Sequence, residues 1–256
     1  MMIDAHIHLD HYDEDDRKEI LAKLAEHGVE ALVAVSFDLP SCIKNRSSSL
    51  EDNRIHAAYG FHPEQDIPSI EEMDQLFSWM KEHIDEMVAV GEVGLPYYKK
   101  LESLVPLDYE PYIQLLDRFV AFAASSQKPI VLHAVYDDAQ IACELLEKHG
   151  VTKAHFHWFK GDDIVVKRMV KNGYFISITP DCLYEDEIQQ LIRKYPIEQM
   201  MIETDGPWPF EGPYTNQRTE PKMMVQSIEK IAELQARTIE ETAKILYENT
   251  KKFYGI

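Results

Sequence analysis

Residues 2–9 read MIDAHIHL, a short apolar run that carries histidines at positions 6 and 8. In an extended strand residues i and i+2 project to the same side, so His6 and His8 aim two imidazoles at one point. Taken alone, the pair is equally well explained by a polar strand end feeding the acidic loop DHYDED (10–15). Its weight comes from recurrence. Runs of similar length and β-branched character stand at 29–36 (VEALVAVS), 54–61 (RIHAAYGF), 87–94 (MVAVGEVG), 129–135 (PIVLHAV), 153–159 (KAHFHWF), 173–179 (GYFISIT) and 199–205 (QMMIETD). Amphipathic stretches such as DDRKEILAKLAEHG, IEEMDQLFSWMKEHI, YIQLLDRFVAFAASSQ, DAQIACELLEKHG and EDEIQQLIRKYP lie between them, several ending at Gly or just before Pro. Eight such strand–helix units predict a parallel sheet covered by helices, most economically a closed (β/α)8 TIM barrel of the α/β class, with residues 1–256 forming one domain. The two long irregular stretches, about 95–108 and 206–221, follow the fourth and eighth strands, on the face where barrel enzymes build their sites.

A chain of 256 residues with 45% hydrophobic content can bury a core of this size. Cys42, Cys143 and Cys182 lie far apart with no paired spacing, which fits a reducing compartment and speaks against a disulfide framework or zinc ribbon. There is no basic segment followed by an apolar run at the N-terminus, and no apolar stretch approaches the ~18 residues of a membrane span. The expectation is a cytoplasmic protein without a membrane partner. A formal charge of −19 repels polyanions at long range, so the chain does not read as a nucleic-acid-coating protein, and most of its acidity serves solubility.

Ligand-forming residues recur at corresponding places. Glu92 sits near the end of the fourth run, His133 ends the apolar part of the fifth, His157 is near the end of the sixth and Asp205 ends the eighth. With His6 and His8 they would converge at one barrel mouth. Any single buried histidine is more often a hydrogen-bonded core residue, but six coincidences at the same end of five strands favour a site. Four imidazoles and two carboxylates without a thiolate suit a pair of divalent ions, one carboxylate bridging them.

The segments DAHIHLD (4–10), GFHPE (60–64), GEVGLPYY (91–98), IVLHA (130–134), HFHWFKG (155–161) and IETDGPW (202–208) resemble, in order and spacing, the signatures of the TatD family of metal-dependent deoxyribonucleases in the amidohydrolase superfamily. The resemblance runs nearly end to end. It implies a TIM barrel in which His6, His8, Glu92 and Asp205 hold one metal while Glu92, His133 and His157 hold the other. The ions would be Zn, Mn, Ni, Co or Mg, and His62 would stand beside them as a substrate-phosphate or acid/base residue. It also implies phosphoester hydrolysis, with DNA the usual named substrate. Two positions depart from the pattern. Pro96 stands where GExGL is commonly followed by Asp, and Val135 stands where an Arg often lies two residues past the fifth-strand histidine. A divergent branch with a substrate other than DNA is the expectation these departures raise.

Two ions sharing a bridging water would lower its pKa toward neutrality, with Asp205 as general base and Glu92 as bridge. Substrate phosphate would be met by His62, Lys160 and Arg218. Lys99 and Lys100, beside Tyr97 and Tyr98, could hold a backbone phosphate and a base, or form a solvated loop. Trp158, Phe159, Trp208 and Phe210 follow ligand strands, where packing is the commoner role for aromatics. His155 is expected behind the ligands, and His27, His83 and His149 near helix ends are structural candidates. The leading expectation is a phosphodiesterase acting on a small phosphoester or single-stranded DNA. The alternatives are an amidohydrolase or lactonase using the same metals on a carbonyl, and a non-catalytic scaffold, which would be expected to have lost ligands.

Overall fold

Eight strands lie within the eight runs: β1 (Met2–Ile7), β2 (Val29–Ala34), β3 (Ile55–Tyr59), β4 (Ala89–Gly94), β5 (Ile130–His133), β6 (Ala154–Phe156), β7 (Phe175–Ile178) and β8 (Met200–Ile202). They are taken from a computed structural model that describes all 256 residues. All seven ladders are parallel and follow chain order from β1 to β8. Most strands stop before their apolar runs do, so the last residues of each run, among them His8, His157 and Asp205, curl over the C-terminal rim.

No ladder joins β8 to β1. The gap is closed by two backbone bonds just beyond it: Asp205 N–H donates to His6 O (2.9 Å) and His8 N–H donates to Gly206 O (2.8 Å). Asp4 reinforces the seam by accepting from the Thr204 amide at 3.0 Å and the Thr204 hydroxyl at 2.5 Å. The barrel therefore closes through the residues singled out as ligands.

Ten helices cover the strands: α1 (Glu14–Lys23), α2 (Leu39–Glu51), α3 (Ile70–Glu82), α4 (Tyr97–Glu102), α5 (Glu110–Ser126), α6 (Asp137–His149), α7 (Asp163–Asn172), α8 (Asp186–Lys194), α9 (Met224–Leu234) and α10 (Ile239–Tyr254). Reciprocal caps start α3 (Ser69 and Glu72) and α10 (Thr238 and Glu241), satisfying amides that a first turn leaves without partners. The stretch 95–108, expected to be irregular, contains α4. Its first turn is held by the distant Glu64, whose carboxylate accepts from the amides of Tyr98 (2.9 Å) and Lys99 (2.7 Å). A cap supplied from another loop leaves no local signature.

Outward-facing strand residues such as Leu32, Val90, Leu132, Phe156 and Ile176 pack under the helices in one large buried cluster. A separate cluster fills the barrel, where Ala5, Val33, Ala58, Ala89, Val131 and Met201 meet Phe253 and Tyr254 from the end of α10. Small residues at 5, 58 and 89 leave room for these two rings, so the floor is plugged and the rim is left as the place for a site. No helix is long and apolar enough to cross a membrane.

Candidate metal centre

Two irregularities aim the central side chains. Pairing between β1 and β2 slips between Asp4 and Ile7, and pairing between β4 and β5 slips between Val90 and Val93. Strict alternation would put Ala5 and Ile7 on one side, yet Ala5 packs inside the barrel and Ile7 in the outer layer. The slip turns His6 inward after Ala5, and the corresponding one brings Glu92 inward, which is how bulges re-aim site residues. Gly60 makes room for the second. A Cβ there would lie 2.7 Å from the Glu92 carbonyl oxygen, closer than real atoms approach. Across this gap Glu92 N–H reaches Ser36 O at 3.3 Å.

Glu92 is fully buried, and its two oxygens divide the neighbours. Oε2 lies 3.1 Å from both His6 Nε2 and His8 Nε2. Oε1 lies 2.7 Å from His157 Nε2, 3.1 Å from His133 Nδ1 and 3.5 Å from His62 Nε2. Asp205 Oδ1 joins the first group, 3.3 Å from His6 Nε2 and 3.4 Å from His8 Nε2. Asp205 adopts φ 50°, a left-handed conformation unusual for a residue with a Cβ, as the chain leaves β8. Three triads have ligand atoms close enough to share an ion: His6 with His157 and Asp205, His6 with His8 and Glu92, and His62 with Glu92 and His133.

His133 Nδ1 is hydrogen-bonded to Glu92 Oε1, but most of the other contacts are close without being aligned hydrogen bonds. Seven buried polar atoms of the cluster lack a hydrogen-bond partner: both ring nitrogens of His6 and of His8, Glu92 Oε2, His157 Nδ1 and Asp205 Oδ1. Buried polar atoms are seldom left so, and lone pairs converging on common points are what a cation requires. The titration behaviour agrees. Burial opposes charge on Glu92, yet His157, His62 and His6 together hold it well below the usual carboxylate range. Against the same burial, Asp205 and Glu92 raise His8 to about 10. The pocket stabilises positive charge between two buried carboxylates. An imidazole and carboxylate set fits a first-row divalent ion.

A second layer escaped the sequence reading. Glu203 Oε1 accepts from the Trp158 amide at 2.8 Å and lies 3.6 Å from His157 Nδ1, while Oε2 accepts from the Ser177 hydroxyl. Glu64 Oε1 lies 3.1 Å from His133 Nε2. His155 lies below the centre, 2.5 Å from Ser177 Oγ and 2.7 Å from Tyr254 Oη. The signal for Glu203 was available: in IETD it stands two residues before Asp205, an acid inside an apolar run. Glu64 closes the segment GFHPE, but its role is not legible there and depends on contacts with β5 and α4.

Of the residues predicted to meet substrate, His62 is at the centre. It stacks on Phe37 with ring centroids 4.7 Å apart, and its Nδ1 accepts from the Glu64 amide at 3.2 Å. Arg218 is elsewhere. Its guanidinium is engaged by Asp16, by Glu19 at 2.8 Å and by Glu220 at 2.6 Å, so neighbouring carboxylates hold it away from the rim. Lys160 does not line the cavity either, and its Nζ lies 5.9 Å from the centre of the Trp158 ring. The mouth opens into a cavity of about 840 Å³ whose walls include Phe37, Tyr98, Val135, Trp158 and Trp208. Apart from histidines, Lys99 is its one cationic side chain and is paired with Asp66 at 2.7 Å, whereas Glu64 and Glu102 add negative charge. Phe159 and Phe210 are buried as packing residues.

Comparison with known proteins places this geometry. The family model described as TatD related DNase matches residues 3–255. An uncharacterized metal-dependent hydrolase of Haemophilus influenzae is 39% identical over 257 residues, with all of both chains covered. The human protein named deoxyribonuclease TATDN3 is 28% identical over 262 residues, covering 99% of this chain and 94% of its own. Among solved structures, YJJV, a TatD homolog from Escherichia coli, superposes with a TM-score of 0.87 at 24% identity, covering 100% of this chain and 98% of that one. The Escherichia coli phosphotriesterase homology protein, with phosphate in its active site, shares the fold at a TM-score of 0.66 and 14% identity.

Proposed function

The chain belongs to the TatD family of metal-dependent hydrolases, and from that premise we propose that it hydrolyses a small phosphoester, or the end of a single DNA strand, at a pair of divalent ions. The supporting observation is the division of contacts at Glu92, one oxygen facing His6 and His8 and the other facing His133 and His157. His6, His8, Glu92 and Asp205 would hold one ion, and Glu92, His133 and His157 the other. Bound there, divalent ions supply a water acid enough to ionise near neutrality and positive charge opposite the phosphoryl oxygens.

The chain's own groups supply the rest. Asp205 accepts the proton lost by the attacking water and returns it to the leaving oxygen. Its backbone is fixed by the bond to His6 O, so the carboxylate stays over the seam. Burial pulls His62 well below its usual range, and the Glu64 amide occupies its Nδ1. It is therefore neutral with the proton on Nε2, a donor for a phosphoryl oxygen. Phe37, Tyr98, Trp158 and Trp208 give one aromatic ring of the substrate apolar surface to lie on.

Substrate size follows from charge and recess. Glu92 and His6 are completely buried, and Lys99 is the sole lysine or arginine on the wall. A stiff duplex about 20 Å wide does not reach such a centre, and few phosphates beyond the one cleaved would find a cation. The human relative named a deoxyribonuclease favours phosphodiester chemistry. The scarcity of free cations favours a second reading, a small carbonyl compound cleaved at the same centre. Three buried, unpaired cysteines fit a reducing compartment, and on that ground we place the activity in the cytoplasm.

Metal-free protein is titrated with Mn, Co, Ni or Zn, bound ions are counted by elemental analysis, and hydrolysis of bis(4-nitrophenyl) phosphate and 5′-labelled single strands is followed beside lactones and N-acyl amino acids. Two ions per chain and metal-dependent phosphoester cleavage are expected. Saturation at one ion, or cleavage of carbonyl substrates alone, would overturn the reading.

A further inference from the structure

Glu64 touches three parts of the site at once. Its Oε1 accepts from the Tyr98 amide (2.9 Å) and lies 3.1 Å from His133 Nε2, and its Oε2 accepts from the Lys99 amide (2.7 Å). Its own amide donates to His62 Nδ1 at 3.2 Å. His133 and His157 present opposite nitrogens to Glu92: His157 offers Nε2 with Nδ1 turned to Glu203, whereas His133 offers Nδ1 with Nε2 turned to Glu64. A neutral ring that gives its Nδ1 lone pair to an ion carries its proton on Nε2, and the tautomer of a ligating imidazole is set by what its far nitrogen donates to. Glu64 is the acceptor at that position.

We propose that Glu64 is a positioning residue, holding His133 with Nδ1 directed at the centre and tying α4, which forms one wall of the cavity, to the same imidazole. The proposal rests on the metal reading above. Tyr98 follows from the same tie, its ring centroid 5.9 Å from that of His133, so the residue that orients the ligand also places an aromatic of the substrate wall. Loss of the Glu64 carboxylate removes the acceptor from His133 and the cap from α4 together. Gln at this position keeps one acceptor oxygen and so retains part of the effect.

The test uses zinc-loaded full-length protein with imidazole nitrogens labelled. In the wild type, His133 is expected to show a metal-bound Nδ1 and a protonated Nε2, while His6, His8 and His157 bind through Nε2. In Glu64→Ala one of the two ions should be held about 10–100-fold more weakly, and the His133 pattern should become mixed or switch to Nε2 binding. KM for the phosphodiester should rise with it, and Glu64→Gln should fall between the two. Nε2 binding at His133 in the wild type overturns the proposal without any variant, as does a folded Glu64→Ala protein with both affinities and the His133 pattern unchanged. Should Glu64→Ala not fold, ion affinities and a His133 pattern unchanged in Glu64→Gln do the same. A wild type that takes up no zinc overturns the metal reading itself, a separate and visible result.

Discussion

Glu92 Oε1 lies 2.7 Å from His157 Nε2, and the other oxygen of the same carboxylate faces His6 and His8 at 3.1 Å. One fully buried acid therefore joins residues from both halves of the chain. Glu92→Gln leaves one oxygen to serve two groups of ligands. We predict loss of at least one ion and a fall in turnover beyond the roughly 100-fold that removing a supporting contact brings. A variant that held two ions and worked at near wild-type rate would remove Glu92 from the centre.

Asp205→Asn separates holding a metal from accepting a proton. The amide keeps an oxygen for the ion but cannot take the proton of the attacking water. The predicted result is near-normal metal content with turnover down by about 10²–10⁴-fold. Parallel metal analysis and single-turnover kinetics check it, and unimpaired turnover would send the base elsewhere.

Arg218 should matter to the fold and not to catalysis. It is surrounded by Asp16, Glu19 and Glu220, away from the cavity. For Arg218→Ala we predict KM and turnover within about twofold of wild type and a stability loss of about 1 kcal/mol or less, as for partly exposed ion pairs. A large rise in KM would return it to the substrate.

Gly94 of β4 pairs with His133 of β5. A Cβ at this position would stand 1.9 Å from the His133 carbonyl oxygen, so no side-chain adjustment relieves the clash. Gly94→Ala is expected to destabilise the protein by about 3 kcal/mol and to displace His133. Denaturant unfolding that matched wild type would contradict the ladder described for these strands.

Asp181 should titrate visibly. Burial raises its carboxyl to about 6, against the opposing hydrogen bonds of Thr179 and Trp158 and the charge of Lys160, with Glu185 raising it further. The neutral form is favoured in the fold, so the stabilisation is present below the unfolded value near 3.8 and is lost as pH rises through about 6. Trp158 Nε1 donates to this carboxylate at 2.6 Å. Its fluorescence is therefore predicted to change with a midpoint near pH 6 in wild type and not in Asp181→Asn. A titration that persists in the variant would assign the change to another group.

The eight strands were legible because most of their residues are buried on both faces and each reads as a short, β-branched apolar run bounded by breakers, too short for a helix of ordinary length. The gathering of His6, His8, Glu92, His133, His157 and Asp205 was legible for a related reason. Parallel strands in a barrel all end on one rim, so position within a run translates into position in space. The limits of that reasoning are equally specific. Alternation along MIDAHIHL does not reveal the slip that sends Ala5 and Ile7 to opposite sides, because bulges arise from pairing with neighbours. Charge alone points to Lys160 and Arg218, and what decides their place is the set of nearby groups: Trp158 for one, three carboxylates for the other. Glu64 stands at the end of GFHPE, but its role is not legible there because each of its partners is either a backbone amide or a residue brought near by folding.

The seam between β8 and β1 bears on the order of events during synthesis. The amide of Asp205 closes on the carbonyl of His6, and the ribosome delivers the second about 200 residues before the first. At ~5–20 residues per second that is an interval of roughly 10–40 s in which the opening strand has one edge without its partner and half of a ligand set. The nascent chain can assemble its layers in sequence from β1 onward, but the ring cannot be completed until β8 emerges. Any ion shared by His6, His8 and Asp205 would thus be captured only after β8 has been made, fastening together residues whose synthesis is separated by about 200 positions.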